Sequence, residues 1–148
     1  MKFWDASAVV ALLLGEGRGG AVAGMLQRDP NLVVWWGTAT ECLSAVCRAE
    51  RDGRIPAPAA EFAIRRLRLL AENWVEVAPD DALRAAAGRL VRVHPLRAVE
   101  AFQLAAGLAA RTVPGEALEF VSFDRRLSEA ARKEGLTVIG PPGTAGVR

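Results

Sequence analysis

Residues 2–14 have the sequence KFWDASAVVALLL, in which one carboxylate, Asp5, stands among mostly apolar residues. The pattern predicts a short strand over residues 2–4 followed directly by a helix over residues 6–14. An acid at such a junction has two explanations. It caps the helix, because Asp and Ser are preferred N-cap residues, or it belongs to a site, because open parallel sheets bind ligands beyond the carboxyl ends of their strands.

The rest of the chain continues this alternation of strands and helices. Apolar runs predict further strands, and longer amphipathic segments predict helices, the last of which ends at Gly135. The predicted strands are 32–36, 74–78, 118–122 and 136–139, and the predicted helices are 19–28, 38–52, 57–72, 79–91, 96–111 and 124–134. This order predicts an α/β fold with a central, mostly parallel sheet of about five strands and helices on both faces. We expect a single domain over 1–140 and a flexible C-terminal tail over 141–148.

The composition narrows the classes of function. Of 148 residues, 51% are apolar and 24% charged, and the net charge is only +2. The two cysteines, Cys42 and Cys47, lie five apart in one helical segment and are not expected to pair, which fits a reducing cytoplasm. The longest apolar run, 8–14, is too short to span a bilayer, so no membrane association is expected. A single histidine, His94, excludes a nuclease that uses two histidines as acid and base.

Three acids follow predicted strands and are expected near the carboxyl edge of the sheet. They are Asp5, Glu41 and Asp124, and a fourth acid, Glu100, lies beside the apolar stripe of a helix. Each has an alternative structural role. Asp5 or Ser7, and Ser122 or Asp124, could cap helices; Thr38 and Glu41 fit a capping box; and Glu100 could pair with Arg97. Asp80 and Asp81 also follow a strand, so position alone does not separate them from the others.

Taken together, the four acids favour a metal site. Converging carboxylates repel one another unless a proton or a cation intervenes. Mg²⁺ prefers oxygen ligands and keeps several waters, and a metal-bound water can attack a phosphodiester. The sequence contains no glycine-rich phosphate-binding motif. If the protein is a hydrolase, we therefore expect it to catalyse hydrolysis with a metal ion bound by carboxylates.

Four segments in order resemble the PIN-domain ribonucleases, and most closely the VapC-type toxins of type II toxin–antitoxin systems. The segments are FWDASAVVALLLGEG, TATECLSAVCR, HPLRAVEAFQLAAGLAA and LEFVSFDRRLSEAARKEGLTVI. The resemblance implies a PIN-like three-layer sandwich and a metal-dependent endoribonuclease that uses Mg²⁺ (or Mn²⁺). It also implies an RNA substrate, a small cognate antitoxin and a homodimer.

Carried over position by position, the resemblance assigns the catalytic acids as Asp5, Glu41, Glu100 and Asp124. It implies that Asp5, Glu100 and Asp124 hold the metal, with Ser7 and Ser122 in support, while Asp80 and Asp81 match no family acid. The family usually has aspartate where this chain has Glu100, and the extra methylene moves that carboxylate outward. Two alternatives follow: an RNA-processing PIN nuclease without a toxin role, and a catalytically weakened PIN-like binding module.

Aromatic and basic residues add two smaller expectations. Trp4, Trp35, Trp36 and Trp74 are interpreted as core residues, with Trp36 the best candidate for a contact at the groove. Arg125 and Arg126, beside Asp124, are candidates for contacts with RNA phosphates. The cluster of Arg65, Arg66 and Arg68 is interpreted as a solvated helix face.

Overall fold

A computed structural model describes residues 1–15, 19–111 and 117–140. Within these residues the strands are β1 (Lys2–Trp4), β2 (Leu32–Trp35), β3 (Val75–Val77), β4 (Glu119–Val121) and β5 (Thr137–Ile139). They form one sheet in the order β3–β2–β1–β4–β5. All four neighbouring pairs are parallel, so the expected parallel sheet of five strands is confirmed.

Helices cover both faces of this sheet, as the sequence predicts. The helices in the described ranges are α1 (Ala6–Leu14), α2 (Gly19–Arg28), α3 (Thr38–Arg51), α4 (Ala57–Ala71), α5 (Asp81–Val93), α6 (Ala98–Ala109) and α7 (Arg125–Lys133). Helices α1 to α4 pack around Trp4 and Val34 on one face, and α5 to α7 pack around Phe3 and Phe120 on the other. The result is the predicted three-layer sandwich.

Strand β2 is apolar throughout, and β1 and β4 are apolar after their first residues, Lys2 and Glu119, because both faces of these strands are buried. Successive residues of a strand point to opposite faces, and Phe3 and Trp4 are each fully buried, in different layers. A strand of this kind has no polar side, so it occurs in the sequence as a continuous apolar run. Trp35 and Trp74 are also buried, as predicted. The interpretation of Trp36 as a core residue is wrong, because it lies just beyond the end of β2 and is 57% exposed.

Helix α6 lies close to the sheet because Gly107 lacks a side chain. A Cβ at this position would be 2.6 Å from the Cε2 atom of Phe120. The Phe120 ring stacks on Phe3 with centroids 5.3 Å apart. This close packing holds α6, the helix that carries Glu100, against strands β1 and β4.

The predicted elements are present, with differences at their ends. Helix α5 begins at Asp81 and not at Pro79, because Asp80 caps it by accepting a hydrogen bond from the Leu83 N–H at 2.7 Å. Helix α6 begins at Ala98 and not at residue 96, and Trp36 lies just outside β2. Gly135 has φ +83° after α7, which confirms its predicted role in ending that helix.

The predicted C-terminal tail, 141–148, lies outside the described residues. In the described ranges, no single helix is long and apolar enough to cross a bilayer; α1 and α2 meet those criteria only when joined, across a bend of 107°.

Candidate active site

The ends of β1 and β4 bring Asp5 and Ser122 together at the carboxyl edge of the sheet. β1 is hydrogen-bonded to β4, with Trp4 opposite Val121. The pairing continues past the strand ends, because the Asp5 N–H donates to the Val121 carbonyl at 3.1 Å. Residues that follow these two strands are therefore neighbours, as expected for parallel strands.

Asp5 is buried, with 3% of its surface exposed, and both of its carboxylate oxygens are bound. Oδ1 accepts hydrogen bonds from the Ser7 hydroxyl at 2.6 Å and from the Ala8 N–H at 3.1 Å. Oδ2 accepts one from the Ser122 hydroxyl at 3.1 Å. Asp5 is thus the N-cap of α1. The two explanations of this acid are compatible, because the cap uses one oxygen and the contact across the sheet uses the other.

The two serines connect Asp5 to the turn that carries Asp124. The Ser7 hydroxyl accepts from the Phe123 N–H at 2.8 Å, and the Ser122 hydroxyl accepts from the Asp124 N–H at 3.1 Å. Asp124 in turn caps α7, since its Oδ1 accepts from the Leu127 N–H at 2.9 Å. Both serines therefore bind the backbone of one strand end and the carboxylate of the other.

Glu41 does not form the capping box that its position suggests. The N-cap of α3 is Gly37, which makes no side-chain capping bond, and Thr38 is the first helical residue. The Glu41 Oε1 atom instead accepts a hydrogen bond from Gln103 Nε2 at 3.1 Å. Sequence reasoning missed Gln103. The available signal was an amide on the apolar side of α6, one turn after Glu100.

Glu100 is turned towards its own helix. Its Oε2 accepts a hydrogen bond at 2.8 Å from the N–H of Arg97, the N-cap residue of α6. Its Oε1 lies 3.6 Å from Arg126 Nη2, and 13% of the side chain is exposed. The arginine that pairs with Glu100 is therefore Arg126, and Arg97 contributes its backbone only.

The other predicted arginines have separate partners. Arg125 pairs with Glu129 at 3.5 Å and is largely exposed. Arg65 and Arg68 are exposed, as expected for a solvated helix face. Arg66 departs from that expectation, because its Nη1 donates to the Leu12 carbonyl at 3.0 Å and so binds the end of α1.

The acids are held close enough to affect one another. Burial raises the pKa of the Asp5 carboxyl to about 7, and the charge of Asp124 adds to the increase. Burial also raises the pKa of Glu41 to about 7, and the charge of Asp5 adds to it. The hydrogen bonds from Ser7, Ser122 and Gln103 oppose these increases. Near neutral pH, the site therefore accommodates its full negative charge only at a cost.

The donor set suits a hard divalent cation in chemistry, although the acids do not surround one point. Among the residues that the structure describes, no three Asp, Glu, His or Cys side chains form a group that could hold a metal ion. The carboxylates of Asp5, Glu41 and Asp124 nevertheless offer oxygen donors whose repulsion a cation would relieve. Glu100 fits less well, because its carboxylate is engaged with the Arg97 N–H and lies beside Arg126.

Comparison with known proteins finds similarity in structure and none in sequence. No family model matches the chain, and no curated protein matches it in sequence. The solved structure of a FitAB complex bound to the IR36 DNA fragment contains a chain that superposes with a TM-score of 0.65, at 13% identity, over 100% of both chains. FitAcB from Neisseria gonorrhoeae gives a TM-score of 0.63 at 14% identity, over 94% of this chain and 96% of that one.

FitB, the PIN-domain component of these complexes, has the same architecture as this chain. The comparison confirms the PIN-like fold that the four sequence segments predict. At identities of 13% and 14%, the likeness establishes the fold.

Proposed function

We propose that this protein is a metal-dependent endoribonuclease and the toxin of a toxin–antitoxin pair, active in the cytoplasm. The observation that carries the proposal is the buried carboxylate of Asp5, fixed by Ser7 and Ser122 at the carboxyl edge of a PIN-like sheet. Glu41 and Asp124 lie close enough for their charges to interact with Asp5. Buried carboxylates with raised pKa values are concentrated at functional sites, which supports the proposal.

Each residue of the site has a proposed task. Asp5, Glu100 and Asp124 would hold Mg²⁺ or Mn²⁺, and Glu41 completes the acidic cluster. Such an ion, when bound, supplies an activated water and stabilises charge on a phosphodiester. Ser7 and Ser122 keep both oxygens of Asp5 in a defined orientation. The sole histidine is engaged with Glu134 at 2.6 Å, so acids carry the proposed chemistry.

Arg125 and Arg126 support RNA binding beside these acids. They are the first two residues of α7, directly after Asp124, and both side chains are at least half exposed. A helix N-terminus and two guanidinium groups together favour a phosphate. Arg126 would exchange a long ion pair with Glu100 for a contact with the RNA backbone.

A protein partner is proposed by analogy with the matched complexes. FitAB and FitAcB are two-component assemblies, and the FitAB complex is bound to DNA. We propose that a small antitoxin covers the acidic site and that the chain forms a homodimer. Trp36 and Leu43 are exposed apolar residues that flank the start of α3, where Glu41 lies. A covering segment would bury both of them.

The proposal is tested by incubating structured RNAs with the purified chain in Mg²⁺, in Mn²⁺ and in chelator. We expect cleavage with either ion and none with chelator. Asp5→Asn should abolish cleavage, whereas Asp81→Asn, which changes an exposed acid at the start of α5, should leave it intact. Cleavage that persists in chelator contradicts the mechanism. Growth arrest on induction, reversed by the product of an adjacent short reading frame, would establish the toxin role.

A second candidate function is a PIN-like binding module with weakened catalysis. It is favoured by one observation, the engagement of Glu100 with the Arg97 N–H and Arg126. This candidate predicts RNA binding with little cation-dependent cleavage, and a gain of cleavage in Glu100→Asp. The nuclease proposal predicts cleavage by the wild-type chain, so one assay separates the two.

A further inference from the structure

Gln103 is a buried amide that joins α6 to the first turn of α3. Only 2% of its surface is exposed. Its Nε2 donates to Thr38 Oγ1 at 3.0 Å and to Glu41 Oε1 at 3.1 Å. The three residues come from helices on opposite faces of the sheet, and 62 residues separate Gln103 from Glu41 in the chain.

The energetics of this amide favour a role beyond packing. Within the described residues, Gln103 Oε1 is one of two buried side-chain polar atoms without a hydrogen-bond partner. An unsatisfied buried acceptor costs free energy that a leucine of similar size would avoid. The apolar face of α6 has leucine and alanine around it, at Leu104 and Ala106. Gln103 is therefore a polar side chain among apolar neighbours, and the function of its amide is to donate hydrogen bonds to α3.

The orientation of the amide is determined by the charge that it contacts. The Thr38 hydroxyl can either donate or accept, so it does not choose between the two ends of the amide. An ionised Glu41 carboxylate only accepts, so it requires the NH₂ end. The unpartnered Oε1 is then the consequence of presenting both N–H donors to α3. The NH₂ group of Gln103 is thus the end of the amide that can bind an ionised Glu41 carboxylate.

We propose that Gln103 is a positioning residue, which holds the Glu41 carboxylate beside Asp5 and thereby sets how strongly the acidic site attracts a divalent cation. The inference rests on the proposed function of that site. Glu41 is close enough to Asp5 for their charges to repel. Without the bond from Gln103, the Glu41 side chain is free to turn away from Asp5, and the site loses part of its negative potential.

The test measures Mn²⁺ binding by the full chain with electron paramagnetic resonance, in Gln103→Leu, Glu41→Gln and the double variant. We expect Gln103→Leu to weaken Mn²⁺ binding by about 10-fold, at the low end of the range for partners that orient metal-site residues. In the Glu41→Gln background it should add nothing. Gln103→Met, which keeps length and flexibility, is the second variant, and thermal unfolding confirms that each one folds.

Thr38→Val is the matched control. It removes the other acceptor of the same amide and leaves the bond to Glu41 in place, so Mn²⁺ affinity should be unchanged. If Thr38→Val weakens binding as much as Gln103→Leu does, or if Gln103→Leu keeps its full effect without Glu41, the amide serves only to attach α6 to α3. Either result overturns the inference.

The same experiment separates this inference from the proposed nuclease. Mn²⁺ binding is measured without RNA. A chain that binds Mn²⁺ and cleaves no RNA overturns the nuclease assignment alone. Equal Mn²⁺ affinities for the wild type and Gln103→Leu overturn the role of Gln103 alone. A wild-type chain that binds no Mn²⁺ overturns both.

Discussion

At the ends of β1 and β4, two serine hydroxyls bind the two oxygens of Asp5, whereas on the helices Glu41 is held by one amide and Glu100 is turned towards its own N-cap. We call Asp5, Ser7, Ser122 and Asp124 the strand side, and Glu41, Gln103 and Glu100 the helix side. The strand side follows from main-chain pairing, because neighbouring parallel strands must end side by side. The helix side depends on side-chain contacts between α6 and α3, which lie on opposite faces of the sheet, so its side chains have more ways to be arranged.

This difference shows where the site can vary. A change at a strand end disturbs a network in which each serine hydroxyl both donates and accepts a hydrogen bond. Glu100, where the resemblance implies an aspartate, lies on the helix side, and its longer carboxylate accepts a hydrogen bond from the Arg97 N–H. Four predictions test the contrast, from the largest expected effect to the smallest.

Asp5→Asn is expected to have the largest effect, with opposite signs for activity and stability. Cleavage should fall by more than about 100-fold, beyond the range for residues that only orient a metal ligand. The metal-free protein should become more stable at pH 8, because Asn resembles the protonated acid. In the folded wild type the Asp5 pKa is raised from 3.8 to about 7, so stability is complete below pH 3.8 and is lost as the pH rises through 7.

Thermal unfolding at pH 4 and pH 8 measures this effect. The gain at pH 8 should be at least about 1 kcal/mol, equivalent to ~2–4 °C in Tm, and should vanish towards pH 4. An equal increase in Tm at pH 4 and pH 8 would show that the charge of Asp5 does not destabilise the folded protein.

Ser122→Ala tests whether the strand side works as a unit. It leaves Asp5 Oδ2 and the Asp124 N–H without their partner. We expect cleavage to fall by about 10–100-fold and stability to fall by about 1–3 kcal/mol. Ser128→Ala, at a buried serine of α7, is the control. A loss in Ser128→Ala as large as that in Ser122→Ala would mean that the effect comes from packing.

Glu134→Gln extends the comparison to acids with cationic partners. Arg89 donates to both Glu134 oxygens, at 3.1 and 2.7 Å, and with His94 it lowers the pKa of Glu134 from 4.5 to about 2. The stability that Glu134 contributes therefore depends on pH in the opposite direction to that of Asp5. It is present above pH 4.5 and is lost as the pH falls through 2. We expect Glu134→Gln to cost about 1–2 kcal/mol at pH 7, after allowing for the exposure of Arg89.

Urea unfolding at pH 7 and pH 3 measures the Glu134 effect. The difference between Glu134→Gln and wild type should shrink as the pH falls. A difference that does not change with pH would mean that the cluster stabilises the fold without its charge.

Arg126→Ala should have the smallest effect, and it probes the helix side. It removes the cation beside Glu100 Oε1. An exposed ion pair is worth about 0.2–1 kcal/mol, so releasing Glu100 should tighten Mn²⁺ binding by ~1.5–5-fold. Arg125→Ala removes the same charge next to a different acid, Glu129, and should have less effect. If the two variants give equal affinities, the gain reflects net charge, and Glu100 does not contribute to the site.

Much of the strand side could be predicted from the chain alone. The segments around Asp5 and Asp124 each contain a strand end, a serine two residues from the acid and a helix start. Local backbone geometry and parallel pairing then dictate their neighbours. The alternation of elements and the helix caps near Asp5 and Asp124 could be predicted for the same reason, whereas the exposure of Trp36 could not.

The helix side could be predicted only in part. A capping box at Thr38 and Glu41 was a sound local expectation, yet α3 begins without one, and the box-like bond to the N-cap occurs at Glu100. The competing partner, Gln103, lies 62 residues from Glu41. No local rule predicts such a contact, because it joins side chains from distant segments of the chain.

The amino-acid sequence alone was sufficient for the order of the elements and the parallel sheet, and it placed Asp5, Glu41 and Asp124 after strand ends. These depend on periodicity and on short-range hydrogen bonds, which are properties of neighbouring residues. Tertiary packing decided which carboxylates face one another, which one is occupied by its own helix and which amide holds Glu41. Those outcomes depend on side chains from distant segments competing for the same few donors in a buried space, where each unpaired polar atom is costly.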